Sequence, residues 1–247
     1  MRRDVLDLRA FYATPLGGAV RSLLARKIGE AWGDAHGLDV LGLGYATPYL
    51  AAFTGAARRT VAAMPGQQGV EIWPAGADNL ACLAEEDALP FPNALFDRVL
   101  VIHGLEESDD PAAFLDEVKR VMSPSGRLIV AAVSRRGLWA GSETTPFGYG
   151  RPFTRNQLEV AVRDAGLEPA AWSRALYAPP LQMLAPYADA FEQVGSRLFP
   201  PGSGLILLEA VKQTYAVKPA GVRAPAFAAG RLRPQPVGAV GSVTPKP

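Results

Sequence analysis

The stretch from Phe96 to Val133, "FDRVLVIHGLEESDDPAAFLDEVKRVMSPSGRLIVAAV", does most to limit what this chain can fold into. Its two ends are apolar and β-branched with no polar alternation, the pattern of strands covered on both faces. Between them Asp110 is placed to cap a helix and Pro111 to start it, while Phe114, Leu115, Val118 and Met122 repeat at helical spacing. "SPSG" then turns the chain into the next strand. A strand, a helix and a second buried strand in this order imply parallel neighbours joined by a crossover.

The same alternation extends outward. "PLGGAVRSLLARKIGEAW" places Val20, Leu23, Leu24 and Ile28 on one helical face, and "GLDVLGLG" is a short apolar strand ending in glycines. Thr47 and Pro48 then suit an N-cap and first helical residue. Further strands are expected at "RRTVAAM", around "NLACLAEE", at "EPAAWSRALY" and at "GLILLEAVKQTY". "TRNQLEVAVRDAG" opens with a capping box, Thr154 and Gln157, and stops at Gly166. "LQMLAPYADAFEQVGSRL" reads as a last helical segment. Between the second and third strands, "PGQQGVEIWPAGADN" offers a short helix at most. The fold expected is α/β, a mostly parallel sheet with helices on both faces.

Composition narrows the function classes. With 247 residues, 49% of them hydrophobic, the chain suits one globular domain with a full core. No window approaches the ~18 uninterrupted apolar residues of a membrane span, and Asp4, Asp7 and Arg9 interrupt the N-terminus where a secretory signal would be apolar. The single cysteine, Cys82, allows no internal disulfide, which fits a cytoplasmic setting. The two histidines and this cysteine are scattered, so no metal site is expected. Ala216–Pro247 carries five Lys or Arg and no acid, with irregular prolines and glycines, and reads as a disordered basic tail. Its charges form no dense cluster, and the four tryptophans show no stacking pattern; neither nucleic acid nor membrane is signalled as a partner. The domain is placed at 1–215, with 1–35 as its N-terminal helical segment.

In a sheet of this kind ligands bind outside the carboxyl ends of the strands. Three features fall there: the Gly42–Gly44 turn, the Glu85 region and the segment after Ile102. Glycines at a strand-to-helix turn let a ligand approach bare backbone, and they equally serve a tight corner with no ligand.

Downstream, Glu85, Leu89-Pro90-Phe91, Phe96-Asp97, His103-Gly104-Leu105-Glu106 and Arg120-Val121-Met122-Ser123-Pro124-Ser125-Gly126 follow one another in order. This series resembles the class I S-adenosylmethionine-dependent methyltransferases, in their small-molecule type, over roughly residues 36–170. The resemblance implies a Rossmann-like seven-stranded sheet with its last strand antiparallel, S-adenosylmethionine as cofactor and a small-molecule acceptor. It also implies site roles. Gly42, Gly44 and Tyr45 would meet the amino-acid end of the cofactor, Glu85 and Glu86 the adenine, with Leu89 and Phe91 as apolar walls. Met64 would stand at the ribose, and the segment around His103 beside the methyl donor.

Set against that family, the chain departs at three places. Val40 stands where an acid normally precedes the first glycine, Ala46 replaces the last motif glycine, and Met64 replaces the acid that grips the ribose hydroxyls. Gln67 and Gln68 are neutral candidates for that task. His103 is the candidate general base, its alternative being a histidine hydrogen-bonded at a strand end. Tyr12, Tyr149 and Arg151 are candidates for a cover over the acceptor, with "SETTPFGYGRPF" read either as a lid or as a passive loop. The functions that follow are a methyltransferase with a small-molecule acceptor or, given Val40 and Met64, a non-catalytic binding or regulatory protein on the same scaffold. A nicotinamide-dependent dehydrogenase ranks third, because Thr47 replaces the third glycine of its fingerprint.

Overall fold

The computed structural model describes residues 2–212, and the basic tail expected at 216–247 lies outside the described residues. The chain runs α1 (Val5–Tyr12), α2 (Pro15–Trp32), β1 (Asp39–Gly44), α3 (Thr47–Leu50), β2 (Arg59–Pro65), β3 (Ala81–Ala84), β4 (Phe96–Ile102), α4 (Pro111–Val121), β5 (Met122–Val133), α5 (Arg155–Asp164), β6 (Leu167–Ala175), α6 (Ala188–Leu198) and β7 (Leu205–Lys212). Seven strands form one sheet in the order β3-β2-β1-β4-β5-β7-β6. Strands β1 to β5 pair in parallel, and β7 runs antiparallel to both β5 and β6. This is the seven-stranded architecture expected from the sequence.

Alternation within the buried strands divides the core in two. Val40, Leu100, Ile102, Ile129, Ala131 and Val133 pack with α1, α2 and α3, whereas Leu41, Val99, Val101, Leu128, Val130 and Ala132 pack with α4 and α5. Every residue of β1 is buried, glycines included. A strand covered on both faces has no polar side to show, which is why the apolar runs carried no alternation.

The caps read from sequence form at two helices. Asp110 accepts from the Ala112 and Ala113 amides, and the Thr154–Gln157 capping box closes at α5. Thr47 does not cap α3. It is the first helical residue of that single turn, Ala46 takes the cap position, and no side chain bonds there. The expected SPSG turn lies inside β5 as an irregularity. Phe96 pairs with Met122 and Arg98 with Arg127, so the additional β5 residues loop out without ending the strand. One element was not separated by the sequence reading: the chain before Pro15 forms its own helix, α1, capped by Asp4.

Candidate functional site

Strand order reverses between β1 and β4. The chain leaves β1 toward β2 and β3, and leaves β4 toward β5, so the carboxyl ends of β1 and β4 diverge at a switch point. Gly44, Tyr45, His103 and Gly104 stand there. Gly44 has φ +76°, and a Cβ on it would lie 2.3 Å from the Ile102 carbonyl oxygen and 2.8 Å from that of His103. Only glycine permits that approach. The Tyr45 amide then donates to the Ile102 carbonyl at 2.8 Å. A Cβ on Gly42 would press on Leu50 and Ala46, so this glycine lets α3 pack on β1. Protein atoms fill both Cβ positions, and both glycines serve the corner.

His103 follows β4 with φ +51°, a left-handed conformation uncommon outside glycine, and is 2% exposed. Its Nε2 lies 2.9 Å from the Tyr12 hydroxyl, to which the Tyr49 hydroxyl donates at 3.0 Å. Tyr12 already accepts from Tyr49, so its own proton points to Nε2, leaving the imidazole proton on Nδ1. Burial agrees with a neutral ring, lowering the His103 pKa to about 3. Burial also raises the phenols of Tyr12, Tyr45 and Tyr49 well above their ordinary value. Tyr12 stacks on Tyr45 with ring centroids 5.7 Å apart, and Phe147 lies 4.6 Å from the His103 ring. The result is a buried aromatic plug whose hydroxyls end on a histidine.

A polar rim surrounds it. Glu106 is buried, one of its carboxylate oxygens has no hydrogen-bond partner, and burial pushes its pKa up to about 7. Gln68 is buried and donates to the His103 carbonyl at 3.3 Å, while its own side-chain oxygen has no partner. Arg2 is buried in an ion pair with Glu86, and its Nη1 is unpartnered. Ser108 donates to the other Glu86 oxygen at 2.6 Å. Sequence reasoning named Glu106 within the family motif without giving it a site role, did not foresee the burial of Gln68, and missed Arg2. Their signal lies in contacts of high sequence separation, which residue spacing does not carry.

The remaining expected site residues disperse. Met64 is fully buried in the core cluster that also holds Val5, Leu8 and Tyr12. Glu85 is exposed on the loop after β3. Leu89 is buried in the opposite cluster with Phe96 and Phe114, its amide donating to Glu117 at 2.9 Å. The cover loop is anchored rather than loose. Phe147 is buried, the Arg151 amide donates to the Glu106 carbonyl at 2.7 Å, and the Arg3 guanidinium sits 3.7 Å above the Tyr149 ring. Among the described residues no cluster of His, Cys, Asp or Glu is arranged for a metal ion, and no helix is long and apolar enough to cross a membrane.

Residues 38–130, from β1 into β5, match the family model of the methyltransferase domain. The chain is 38% identical over 96 residues to a demethylmenaquinone methyltransferase of Thermus thermophilus, which covers 39% of this chain and 37% of the relative. The chain thus spans between about a third and a half of the first curated relatives it matches. Among solved structures it superposes on a putative methyltransferase, held in complex with the Trm112 activator of Haloferax volcanii, with TM-score 0.60 at 19% identity, covering 87% of this chain and all of the other. It superposes on the [4+2]-cyclase SpnF with TM-score 0.56 at 21% identity, covering 78% and 80%. At such identities these structures share the fold alone.

Proposed function

We propose, from the premise that residues 38–130 match the methyltransferase-domain family, that the protein is a class I S-adenosylmethionine-dependent enzyme that transfers a methyl group to a small-molecule acceptor. One observation carries this reading: the family match runs from the glycine turn through β4 and into β5, so it includes both strands that diverge at the switch point. The Gly44–Tyr45 backbone is proposed to meet the amino-acid end of the cofactor, Gln68 the ribose hydroxyls, Glu85 and Glu86 the adenine, and His103 the methyl-donor side. When bound, the cofactor supplies an electrophilic methyl group.

The residues present do not accept it in the conformation described. Tyr12 fills the space between Tyr45 and His103, and Arg2 takes the Glu86 carboxylate. What this chain does itself is therefore limited to holding and orienting. His103 is neutral with its Nε2 engaged, and it serves as a proton acceptor only once Tyr12 leaves. Glu106, held partly protonated near neutral pH, is the second group able to take or release a proton there.

Met64 in place of a ribose-gripping carboxylate forfeits charge-assisted hydrogen bonds worth about 1.5–3 kcal/mol, roughly ten- to a hundredfold in affinity. The same substitution favours a second reading, a scaffold that binds without transferring a methyl group. Calorimetric titration with S-adenosylmethionine and S-adenosylhomocysteine tests the first reading. Saturable one-to-one binding supports it, and silence at millimolar ligand, on a chain whose first helix has been removed, turns the function to the second.

A further inference from the structure

The segment Arg2–Tyr12 lies across the mouth of the sheet and touches it at four points. Arg2 pairs with Glu86 beyond β3, the Arg3 amide donates to Glu107 at 2.9 Å, the Val5 amide donates to the Gln68 carbonyl at 2.8 Å, and Tyr12 meets His103. In the functional reading above these are, in order, the adenine end, the rim beside it, the ribose position and the methyl-donor end. One short helix therefore follows the path of an extended nucleotide ligand. We propose that Arg2–Tyr12 is an intrasteric gate that occupies the cofactor groove and must be displaced before the cofactor binds. This inference rests on the reading of the site as a cofactor groove.

Two features of the segment support a gate over a permanent part of the core. Its polar end is incompletely satisfied when docked: Arg2 Nη1, the Gln68 side-chain oxygen and one Glu106 oxygen are buried without partners. Displacement returns Arg2 to water and leaves Gln68 an acceptor for a ligand hydroxyl. The helix also has only eight residues, a length that is marginal without tertiary packing, and only Ala13 and Thr14 separate it from α2. It can leave without α2 unwinding, because α2 carries its own cap: the Thr14 side chain accepts from the Gly17 amide. The gate lowers apparent affinity by the fraction of molecules in which it is open.

A reversible tether tests this on the full chain. A Cβ built on Gly69 lies 3.9 Å from the Val5 Cβ, within the ~3.5–4.5 Å that a disulfide spans. The variant is Val5→Cys with Gly69→Cys, in a Cys82→Ala background. The positive φ at residue 69 strains reduced and oxidised forms alike, so their comparison isolates the tether. S-adenosylhomocysteine is titrated calorimetrically into both. The gate requires that oxidation abolish binding or weaken it by at least about tenfold, and that dithiothreitol restore it. Equal affinity in the two forms overturns the gate and leaves the cofactor reading standing. Absence of binding in both forms, and in a chain lacking residues 1–12 whose α2 keeps its Thr14 cap and whose cooperative unfolding is verified, overturns the cofactor reading and the gate together. Hydrogen exchange on the unmodified chain gives a second readout that does not depend on the cysteines. Saturating S-adenosylhomocysteine should speed amide exchange in residues 4–12; slower exchange would show the helix clamping over bound ligand, which the gate forbids.

Discussion

The two ends of the parallel sheet treat their carboxylates differently, although Thr60 Oγ1 and Arg98 Nε are buried without partners at the amino ends too. At the amino ends, buried Asp39 is matched by Arg58, whose Nε donates to it at 3.0 Å, and Asp97 accepts from the Asp39 amide at 3.1 Å and the Ser123 hydroxyl at 2.9 Å. Arg120 binds the Leu89 and Phe91 carbonyls and the Glu117 carboxylate, each at 2.8 Å, and so fixes the loop that leads into β4. At the carboxyl ends His103 sits at positive φ, and Glu106 and Gln68 each keep an unpartnered buried oxygen. Matched carboxylates hold the frame together, whereas the unpartnered Glu106 and Gln68 oxygens beside His103 are acceptors that a ligand can satisfy. Several residues of the resemblance, Asp97 and Arg120 among them, thus serve the frame rather than the chemistry.

The largest effect expected is at the corner joining the two regimes. Gly44→Val adds a branched side chain at φ +76° against the β4 carbonyls. Strain of roughly 1–3 kcal/mol plus a similar overpacking penalty predicts a loss of about 2–6 kcal/mol in urea unfolding. A loss under about 1 kcal/mol would mean that the corner is looser than the close approach implies.

Next comes pH. A carboxyl whose folded pKa is raised holds its proton longer in the folded state, so Glu106 makes stability fall as pH rises from its ordinary 4.5 to about 7. His103, lowered from 6.5 to about 3, does the reverse, and stability rises across that window. The two slopes oppose one another between 4.5 and 6.5, the overlap of the two windows. Glu106→Gln removes one of them. Its stability should climb more steeply with pH than the parent's, gaining on the order of 2 kcal/mol at pH 8. Identical pH profiles for the two proteins would erase the electrostatic contrast between the ends. Asp39, held below its ordinary range by the Arg58 guanidinium, contributes only above its unfolded pKa, and that contribution is lost as pH falls through the folded value.

Arg120→Ala tests the matched end, where several charge-assisted bonds disappear together. A loss of about 2 kcal/mol is expected, with faster exchange of the amides near Leu89, and with unchanged cofactor affinity if this end only supports the frame. The smallest effect is at the plug. Tyr12→Phe leaves the Tyr49 hydroxyl and His103 Nε2 without their shared partner, costing about 1 kcal/mol of thermal stability while loosening α1. No change in Tm would place that hydroxyl chain outside the docked state.

Much of the frame was legible because its signals are local. The buried strands on either side of α4, its Asp110 cap and the Thr154–Gln157 box depend on residues a few positions apart. Thr47 was misread for a related reason: a favourable residue type before a proline does not fix which residue begins a single turn. The site was less legible. Met64 reads as a ribose neighbour from the end of β2, yet it is fully buried in a core cluster drawn from helices and strands along most of the chain.

By itself the sequence determined the strand–helix alternation, the glycine corner, and, through its family motifs, a seven-stranded, mostly parallel sheet with its last strand antiparallel. Steric limits and periodicity act over a few residues, and they leave marks that can be read in one dimension. Only the tertiary structure decided that the first helix crosses the groove, that Tyr12 reaches His103 across 91 positions, and that Glu106 and His103 depart in opposite directions from their ordinary protonation. Burial causes those shifts, and burial belongs to the packed chain as a whole rather than to any stretch of it.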